Sequence, residues 1–116
     1  LDLRDTKSIK NYLSSVDSII ILAGLVGEYI TKKYPLLSET INEKGIIDLI
    51  DECENYKNIK NLIFVSTCSN YGITINQILV SEDHELKPLS PYAKVEEKIE
   101  KYILGKKKVC NAHLCN

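Results

Sequence analysis

The segment Asp17-Ser18-Ile19-Ile20-Ile21-Leu22-Ala23 decides the fold, because it is a β-branched apolar run with no polar alternation. A second run of the same character is Asn61-Leu62-Ile63-Phe64-Val65-Ser66, and a weaker one is Lys108-Val109-Cys110-Asn111-Ala112-His113-Leu114. Short continuous apolar strands are typical of a parallel sheet that is covered on both faces. These three segments therefore predict a parallel sheet.

Apolar residues spaced three and four apart predict an amphipathic helix before each of these strands. The second helix spans roughly residues 38–56. The third spans 90–104, where Ser90 and Pro91 supply a cap and a first turn, and Gly105 supplies a stop. The alternation of helix and strand predicts a doubly wound α/β domain. The three apolar stripes are Ile9, Tyr12, Leu13 and Val16; Ile41, Ile46, Leu49, Ile50 and Cys53; and Tyr92, Val95, Ile99, Tyr102 and Ile103.

Length and composition limit the function classes. The chain has 116 residues, which corresponds to one domain. Its net charge of −1 excludes a strong electrostatic nucleic-acid binder, which needs a clustered excess of Lys and Arg. The longest apolar run, from Ile19 to Val26, is far shorter than the about 20 residues that span a membrane as a helix. Because the chain begins with Leu1 and contains no Met, we expect it to be processed or to be part of a longer protein.

The four cysteines do not follow the paired spacing of a zinc framework. Cys110, His113 and Cys115 are close in sequence, but a strand would place 113 and 115 on one face and 110 on the other. We therefore expect no metal site. Free thiols in a reducing cytoplasm are the preferred interpretation, which predicts a cytoplasmic protein.

Ligands of such sheets bind beyond the carboxyl ends of the strands, so the loops after Ala23, Ser66 and Asn116 are the candidate site. Small residues in Leu22-Ala23-Gly24-Leu25-Val26-Gly27 would let a ligand approach the backbone closely. The hydroxyl-rich loop Ser66-Thr67-Cys68-Ser69-Asn70-Tyr71-Gly72 could hydrogen-bond a reacting oxygen or cap its own backbone. Tyr92 opens a helix, where a tyrosine serves either core packing or acid–base chemistry.

Together these segments resemble the extended short-chain dehydrogenase/reductase family, and more narrowly its NAD-dependent sugar-nucleotide epimerases, dehydratases and reductases. The resemblance runs in order along nearly the whole chain. The similar motifs are the acidic turn beside the adenine at Asp2-Leu3-Arg4-Asp5; the strand Asp17 to Gly24; the Asn-x-x-Gly helix motif at Asn42-Glu43-Lys44-Gly45; the strand carrying the catalytic Ser or Thr at Phe64 to Gly72; the run Glu82-Asp83, Pro88 and Ser90-Pro91-Tyr92-Ala93-Lys94 into the catalytic tyrosine helix; and a later strand at Ala112-His113-Leu114-Cys115-Asn116.

The resemblance implies a Rossmann-type parallel sheet, NAD as cofactor and a nucleotide sugar as substrate. Tyr92 would be the general acid/base on a sugar hydroxyl, and Thr67 would hydrogen-bond the same oxygen. It also implies a homodimer formed through the helices at 38–56 and 90–104. The implied cofactor-binding residues are Asp2, Leu3, Leu22, Ala23, Gly24, Asn42 and Tyr92, with Asn42 supporting the loop of Ala23 and Gly24. The implied substrate-binding residues are Thr67, Cys68, Ser69 and Asn116.

The sequence departs from the family pattern in its glycine-rich turn. The family's first strand and Gly-x-x-Gly-x-x-Gly turn, which binds the pyrophosphate, precede the position of Asp2 and have no counterpart within residues 1–116. We therefore expect residues 1–116 to be the central part of an NAD-binding Rossmann-like domain, truncated at both ends. Alone, the chain is expected to bind NAD weakly or not at all.

A second departure lies in the predicted catalytic helix. The family has Tyr-x-x-x-Lys, whereas this chain has Glu96 four residues after Tyr92, and Lys94 and Lys98 lie off that helix face. A carboxylate there would keep the Tyr92 pKa at or above its free value of about 10. The alternative is that Glu96 is a solvated helix charge without effect on Tyr92.

The sequence is compatible with three hypotheses of function. The first is an epimerase or reductase; a dehydratase is less favoured because Cys68 and Ser69 stand where that subgroup carries Asp-Glu. The second is a catalytically degenerate homologue that binds a nucleotide or a partner, which Glu96 favours. The third is a flavodoxin-like receiver, which needs a phosphorylatable Asp at a strand end; neither apolar strand ends in one.

Overall fold

The computed structural model describes residues 2–73, 80–81, 83–106 and 112–115. Helices and strands alternate along these residues, as the sequence predicts. In chain order they are α1 (Thr6–Leu13), β1 (Ser18–Ile21), α2 (Glu28–Lys33), α3 (Pro35–Ser38), a π-helix (Glu39–Gly45), α4 (Ile46–Cys53), β2 (Asn61–Val65), a 3₁₀-helix (Cys68–Tyr71), α5 (Pro91–Gly105) and β3 (Ala112–Cys115).

The three strands form one parallel sheet in the order β1-β2-β3. In its register Ile21 pairs with Phe64, and Val65 pairs with Cys115. The carboxyl ends of all three strands consequently meet at one edge of the sheet, where ligands of such folds bind. The predicted Rossmann-type parallel sheet is confirmed. The third strand is described over Ala112–Cys115; residues 108–111 of the predicted strand, which include Cys110 of the metal hypothesis, and Asn116 lie outside the described residues.

The core lies between the sheet and one layer of helices. Phe64 and Leu62 of β2 are 2% and 1% exposed, and they belong to one apolar cluster with Ile50 of α4 and Ile99 of α5. On the other face of the sheet Ile20 is 59% exposed, so the described residues do not cover that face. Burying the helical side of the sheet is the main stabilising contribution, at about 25 cal/mol for each Å² of apolar surface.

The predicted helices are present with shifted ends. α1 ends at Leu13, so Val16 of the predicted stripe lies beyond it. The predicted helix 38–56 is a continuous helical stretch over residues 35–53 that includes a π-helical segment. α5 begins as predicted, with the Ser90 hydroxyl accepting from the Ala93 N–H at 3.1 Å, but Gly105 is its last residue rather than a stop beyond it. The short α2 was not predicted.

Among the described residues, no helix is long and apolar enough to cross a membrane.

Candidate functional site

The loop that follows β1 is held in place by one buried side chain. Asn42 on the π-helix is 1% exposed, and its amide bonds the backbone of Leu25 in both directions. Its Oδ1 accepts from the Leu25 N–H at 2.7 Å, and its Nδ2 donates to the Leu25 carbonyl at 2.8 Å. Because a buried amide is costly unless bonded, this pair fixes the loop to the helix. The predicted support of the loop by Asn42 is present.

Two glycines let backbones approach closely around this clamp. A Cβ on Gly24 would lie 3.2 Å from Asn42 Oδ1, and a Cβ on Gly45 would lie 3.2 Å from the Cβ of Leu3. The Asn-x-x-Gly motif therefore has two local functions: Asn42 holds the loop after β1, and Gly45 admits the turn at Leu3. Both bring the 2–5 turn and the β1 loop to one side of the same helix.

Two clefts lie side by side at the carboxyl edge of β1 and share Ala23 and Gly24, and together they are called the groove here. Asp2, Leu3, Ala23 and Gly24 line the first cleft together with Ile41. The second cleft also contains Ala23 and Gly24, and its further lining includes Leu22, Asn42, Tyr92 and Glu96. Each of the seven residues predicted to bind the cofactor thus lines at least one of these two adjoining clefts.

Thr67 lies at the end of the neighbouring strand but does not line this groove. Its backbone is extended, and its hydroxyl caps the 3₁₀-helix by accepting from the Ser69 N–H at 3.3 Å. The alternative in which the hydroxyl caps its own loop is therefore realised in this structure. Cys68 and Ser69 are exposed beside it, and Asn116 lies outside the described residues.

Glu96 is buried, so the alternative that it is a solvated helix charge is wrong. Its side chain lines the groove, the residue is 6% exposed, and no hydrogen bond or ion pair to it is found among the described residues. Lys98, two positions on, pairs instead with Glu43 of the π-helix, and Lys94 is exposed. Burial, and secondarily the negative charge of Glu100, raise the pKa of Glu96 to about 7.

Tyr92 lies one helical turn before Glu96 and lines the same cleft. Burial raises the pKa of the Tyr92 phenol, and the charge of Glu96 raises it further. The Tyr92 pKa is therefore raised, as the sequence predicts. Burial is the larger cause of this rise, whereas the prediction considered only the charge of Glu96. At neutral pH Tyr92 is therefore a phenol that can donate a hydrogen bond.

Sequence reasoning missed a polar network that links the Thr67 loop to α5. The buried Glu100 carboxylate accepts from the Ser66 hydroxyl and, at 2.6 Å, from Asn70 Nδ2. Asn70 is fully buried and also bonds Ser66 Oγ at 3.1 Å. The available signal was the spacing of Tyr92, Glu96 and Glu100 at successive turns, which places both acids on one helix face.

The groove suits the uncharged parts of a dinucleotide. Ala23 and Gly24 leave the strand end open where a larger side chain would fill it, and most residues that line the second cleft have apolar side chains. Its polar groups are the Asn42 amide, the Tyr92 phenol and the Glu96 carboxyl. Among the described residues that line the groove there is no Lys, Arg or His, so these residues supply no cation to a diphosphate.

Comparison with known proteins agrees with this arrangement. Residues 1–115 match the model of the NAD dependent epimerase/dehydratase family. A UDP-glucose 4-epimerase from Lactobacillus helveticus is 32% identical over 104 residues, which are 86% of this chain and 30% of the relative.

Solved structures show the same fold. UDP-N-acetylglucosamine 4-epimerase from Methanobrevibacter ruminantium, in complex with UDP-N-acetylmuramic acid, is 28% identical with a TM-score of 0.86; the match covers 98% of this chain and 36% of that one. UDP-glucose 4-epimerase from Thermus thermophilus, in complex with NAD, is 24% identical with a TM-score of 0.81, over 90% of this chain and 34% of that one.

This chain spans about a third of the length of these relatives. Within that third the match is nearly complete, and it includes the strand ends that form the groove. The resemblance inferred from the sequence is confirmed, and the family is NAD-dependent, in agreement with the predicted cofactor. The chain belongs to the NAD-dependent epimerase/dehydratase family.

Proposed function

We propose that residues 1–116 form the central part of the nucleotide-binding domain of an NAD-dependent epimerase or reductase that acts on a nucleotide sugar. The observation that carries the proposal is the single groove that joins the Asp2 turn to Tyr92 through Ala23 and Gly24. Asp2 and Leu3 would border the adenine, and Ala23 and Gly24 would lie along the ribose and phosphate region. Asn42 would keep that wall of the groove rigid.

The bound cofactor would supply hydride transfer, and the side chains would position and protonate the sugar. Tyr92 would donate a hydrogen bond from its phenol to the reacting hydroxyl oxygen, and Thr67 would hold the same oxygen from the neighbouring strand end. Cys68, Ser69 and Asn116 would contact the substrate. Thr67 must turn its hydroxyl from the Ser69 N–H to do so, or use its proton while still accepting that bond.

A catalytically degenerate homologue is the second candidate, and the burial of Glu96 favours it. With a carboxyl rather than a cation one turn from Tyr92, nothing in the described groove lowers the pKa of the phenol. Such a protein would retain nucleotide binding along the groove without turnover.

Binding is tested by titrating the ¹⁵N-labelled chain with NAD and following amide shifts. We expect shifts of the backbone amides of Ala23, Gly24 and Tyr92, with an affinity weaker than micromolar. Gly24→Leu should remove them, because the new side chain would meet Asn42 and fill the groove. Gly105→Leu is the matched control, since a Cβ there has nothing within 4 Å. Shifts confined to other surfaces, or unchanged in Gly24→Leu, would contradict the proposal.

Turnover distinguishes the two candidates and is measured in the longer protein that carries this segment, with UDP-glucose as substrate. An active enzyme should lose epimerisation in Tyr92→Phe and gain rate in Glu96→Lys, where a cation replaces the acid beside the phenol. Binding of NAD without turnover in the unaltered protein would favour the degenerate homologue. Equal rates for the unaltered protein and Glu96→Lys would mean that another group activates Tyr92.

We also propose a cytoplasmic homodimer. The supporting observation is that Leu104 on α5 and Leu36 on α3, near the helices that the family resemblance implies, are 69% and 77% exposed. Sedimentation of the chain should show a dimer that Leu104→Lys dissociates, and a monomer at high concentration would contradict this.

A further inference from the structure

Glu96 occupies an environment that does not stabilise a negative charge. Only 6% of the residue is exposed, and among the described residues no cation or hydrogen-bond donor is found on its carboxyl. The carboxyl keeps contact with the cleft but loses most of its surrounding water without gaining a partner, which is costly for a charge, so the group tends to hold a proton instead. The proton changes the carboxyl from an anion that only accepts hydrogen bonds into a neutral group that can also donate one.

Among the described residues, the ionisable groups that face Glu96 are Glu100 and Tyr92, which are both on α5. Across the cleft, β1 and its loop contribute Ile21 and Leu25, and β2 contributes Phe64, all of them apolar. The π-helix contributes the Asn42 amide and α4 contributes Ile46, neither of which ionises. The lysines of two nearby ion pairs, Lys98–Glu43 between α5 and the π-helix and Lys32–Glu28 on α2, are exposed and are not paired with Glu96.

The charge of Glu96 must affect whatever lies in the cleft that it lines. The oxidised nicotinamide ring carries a positive charge and the reduced ring carries none. An ionised carboxylate in a poorly solvated cleft attracts the oxidised ring, and it repels the negative dinucleotide whose ring is neutral. A protonated Glu96 carries no charge, so it neither attracts the oxidised ring nor repels the dinucleotide with the neutral ring.

We propose that Glu96 makes the groove select between the redox forms of its dinucleotide: when Glu96 is ionised the groove favours the oxidised form, and when Glu96 carries a proton that preference is lost. This inference rests on the proposed function, which places the nicotinamide end of the cofactor beside Tyr92. It assigns the carboxyl a role as a charge switch in the cofactor cleft.

The size of the effect follows from the protonated fraction. With a pKa of about 7, Glu96 is about 90% protonated at about pH 6 and about 10% protonated at about pH 8. If NADH binds only the protonated form, its affinity falls about tenfold over this interval. The affinity for NAD should change less or in the opposite direction. The dissociation constant for NADH divided by that for NAD should therefore rise about tenfold.

The experiment measures dissociation constants of the longer protein that carries this segment for NADH, by fluorescence, and for NAD, by calorimetry, at about pH 6 and about pH 8. Glu96→Gln removes the charge with little change of shape, so the ratio of the dissociation constants of this variant for NADH and NAD should not depend on pH. Glu97→Gln is the matched control, because Glu97 is on the same helix and is paired with Lys101 at 2.8 Å. It should behave as the unaltered chain does.

The outcomes separate the inference from the proposed function. Binding of both forms with a ratio that does not change with pH, or that changes equally in Glu96→Gln, overturns the inference and leaves the proposed function intact. Failure of both forms to bind to the longer protein refutes the proposed function, whereas weak binding to residues 1–116 alone is expected. A ¹³C titration of the Glu96 carboxyl, assigned by its absence in Glu96→Gln, decides the charge switch without any ligand. A midpoint near 7 supports it, and a midpoint near the ordinary 4.5 overturns it.

Discussion

Replacing Glu96 by Gln should stabilise the chain at neutral and alkaline pH and leave its stability at low pH unchanged. Burial raises the pKa of Glu96 from 4.5 to about 7 in the folded chain, while the unfolded chain keeps the ordinary value. The folded state therefore holds a proton that the unfolded state releases more readily. The contribution of this group to stability is fully present below pH 4.5 and is lost as the pH rises through about 7.

The size of this loss of stability follows from the rise of the Glu96 pKa from 4.5 to about 7. At about 1.4 kcal/mol for each pKa unit, the unaltered chain loses about 2 kcal/mol by about pH 6 and about 3 kcal/mol by about pH 8. Gln is neutral throughout, so Glu96→Gln should match the unaltered chain near pH 4.5 and exceed it by about 3 kcal/mol near pH 8. This is a large share of the stability of a small domain.

Urea unfolding followed by circular dichroism, at several pH values between about 4.5 and 8, measures the free energy of unfolding of both proteins. The difference between them isolates Glu96, because carboxyls such as Asp5 and Asp51, whose pKa values are lowered by hydrogen bonds and a lysine, act in the opposite direction in both. Glu97→Gln should show no such pH-dependent gain. A difference between Glu96→Gln and the unaltered chain that stays constant from pH 4.5 to pH 8 would refute the reasoning.

Two further substitutions test close contacts in the fold, one beside the groove and one after the 3₁₀-helix, each by urea unfolding. Asn42→Ala leaves the Leu25 N–H and carbonyl unbonded and should lower the free energy of unfolding by about 2–4 kcal/mol. The control Asn55→Ala, at an exposed turn, should lower it little. Equal losses in the two variants would show that the Asn42 clamp contributes nothing. Gly72→Ala places a Cβ 2.4 Å from the Lys87 carbonyl oxygen at a φ of +71° and should cost at least about 2 kcal/mol. Gly105→Ala, with open space around it, should be neutral or slightly stabilising, and a tolerated Gly72→Ala would contradict the close contact.

The parallel sheet and the helix that carries Tyr92 could be predicted because each depends on local pattern. β1 and β2 are uninterrupted apolar runs, and Ser90-Pro91 is a strong start signal that the structure uses as expected. The carboxyl-edge rule then places the loops after β1 and β2 side by side without further information.

The second helix shows where local pattern is insufficient. The apolar stripe was assigned to Ile41, but the side chain that is deeply buried there is Asn42, in a π-helical turn. A search for apolar periodicity passes over a polar residue, and nothing local reveals that the backbone of Leu25 is its partner. The family resemblance supplied the role of Asn42, and the pattern of residues alone could not have done so.

The burial of Glu96 results from the same long-range contacts. Helical spacing alone places Glu96 one turn from Tyr92, and at an isolated helix surface that acid would be solvated and ionised. It is covered because the β1 loop, whose Leu25 and Val26 line the cleft, lies over α5. That loop is held by Asn42, which reaches it from the π-helix. The charge of a residue one turn from Tyr92 thus depends on a clamp more than 50 residues earlier in the chain, and we expect a substitution at Asn42 or at Glu96 to change the electrostatics of the groove.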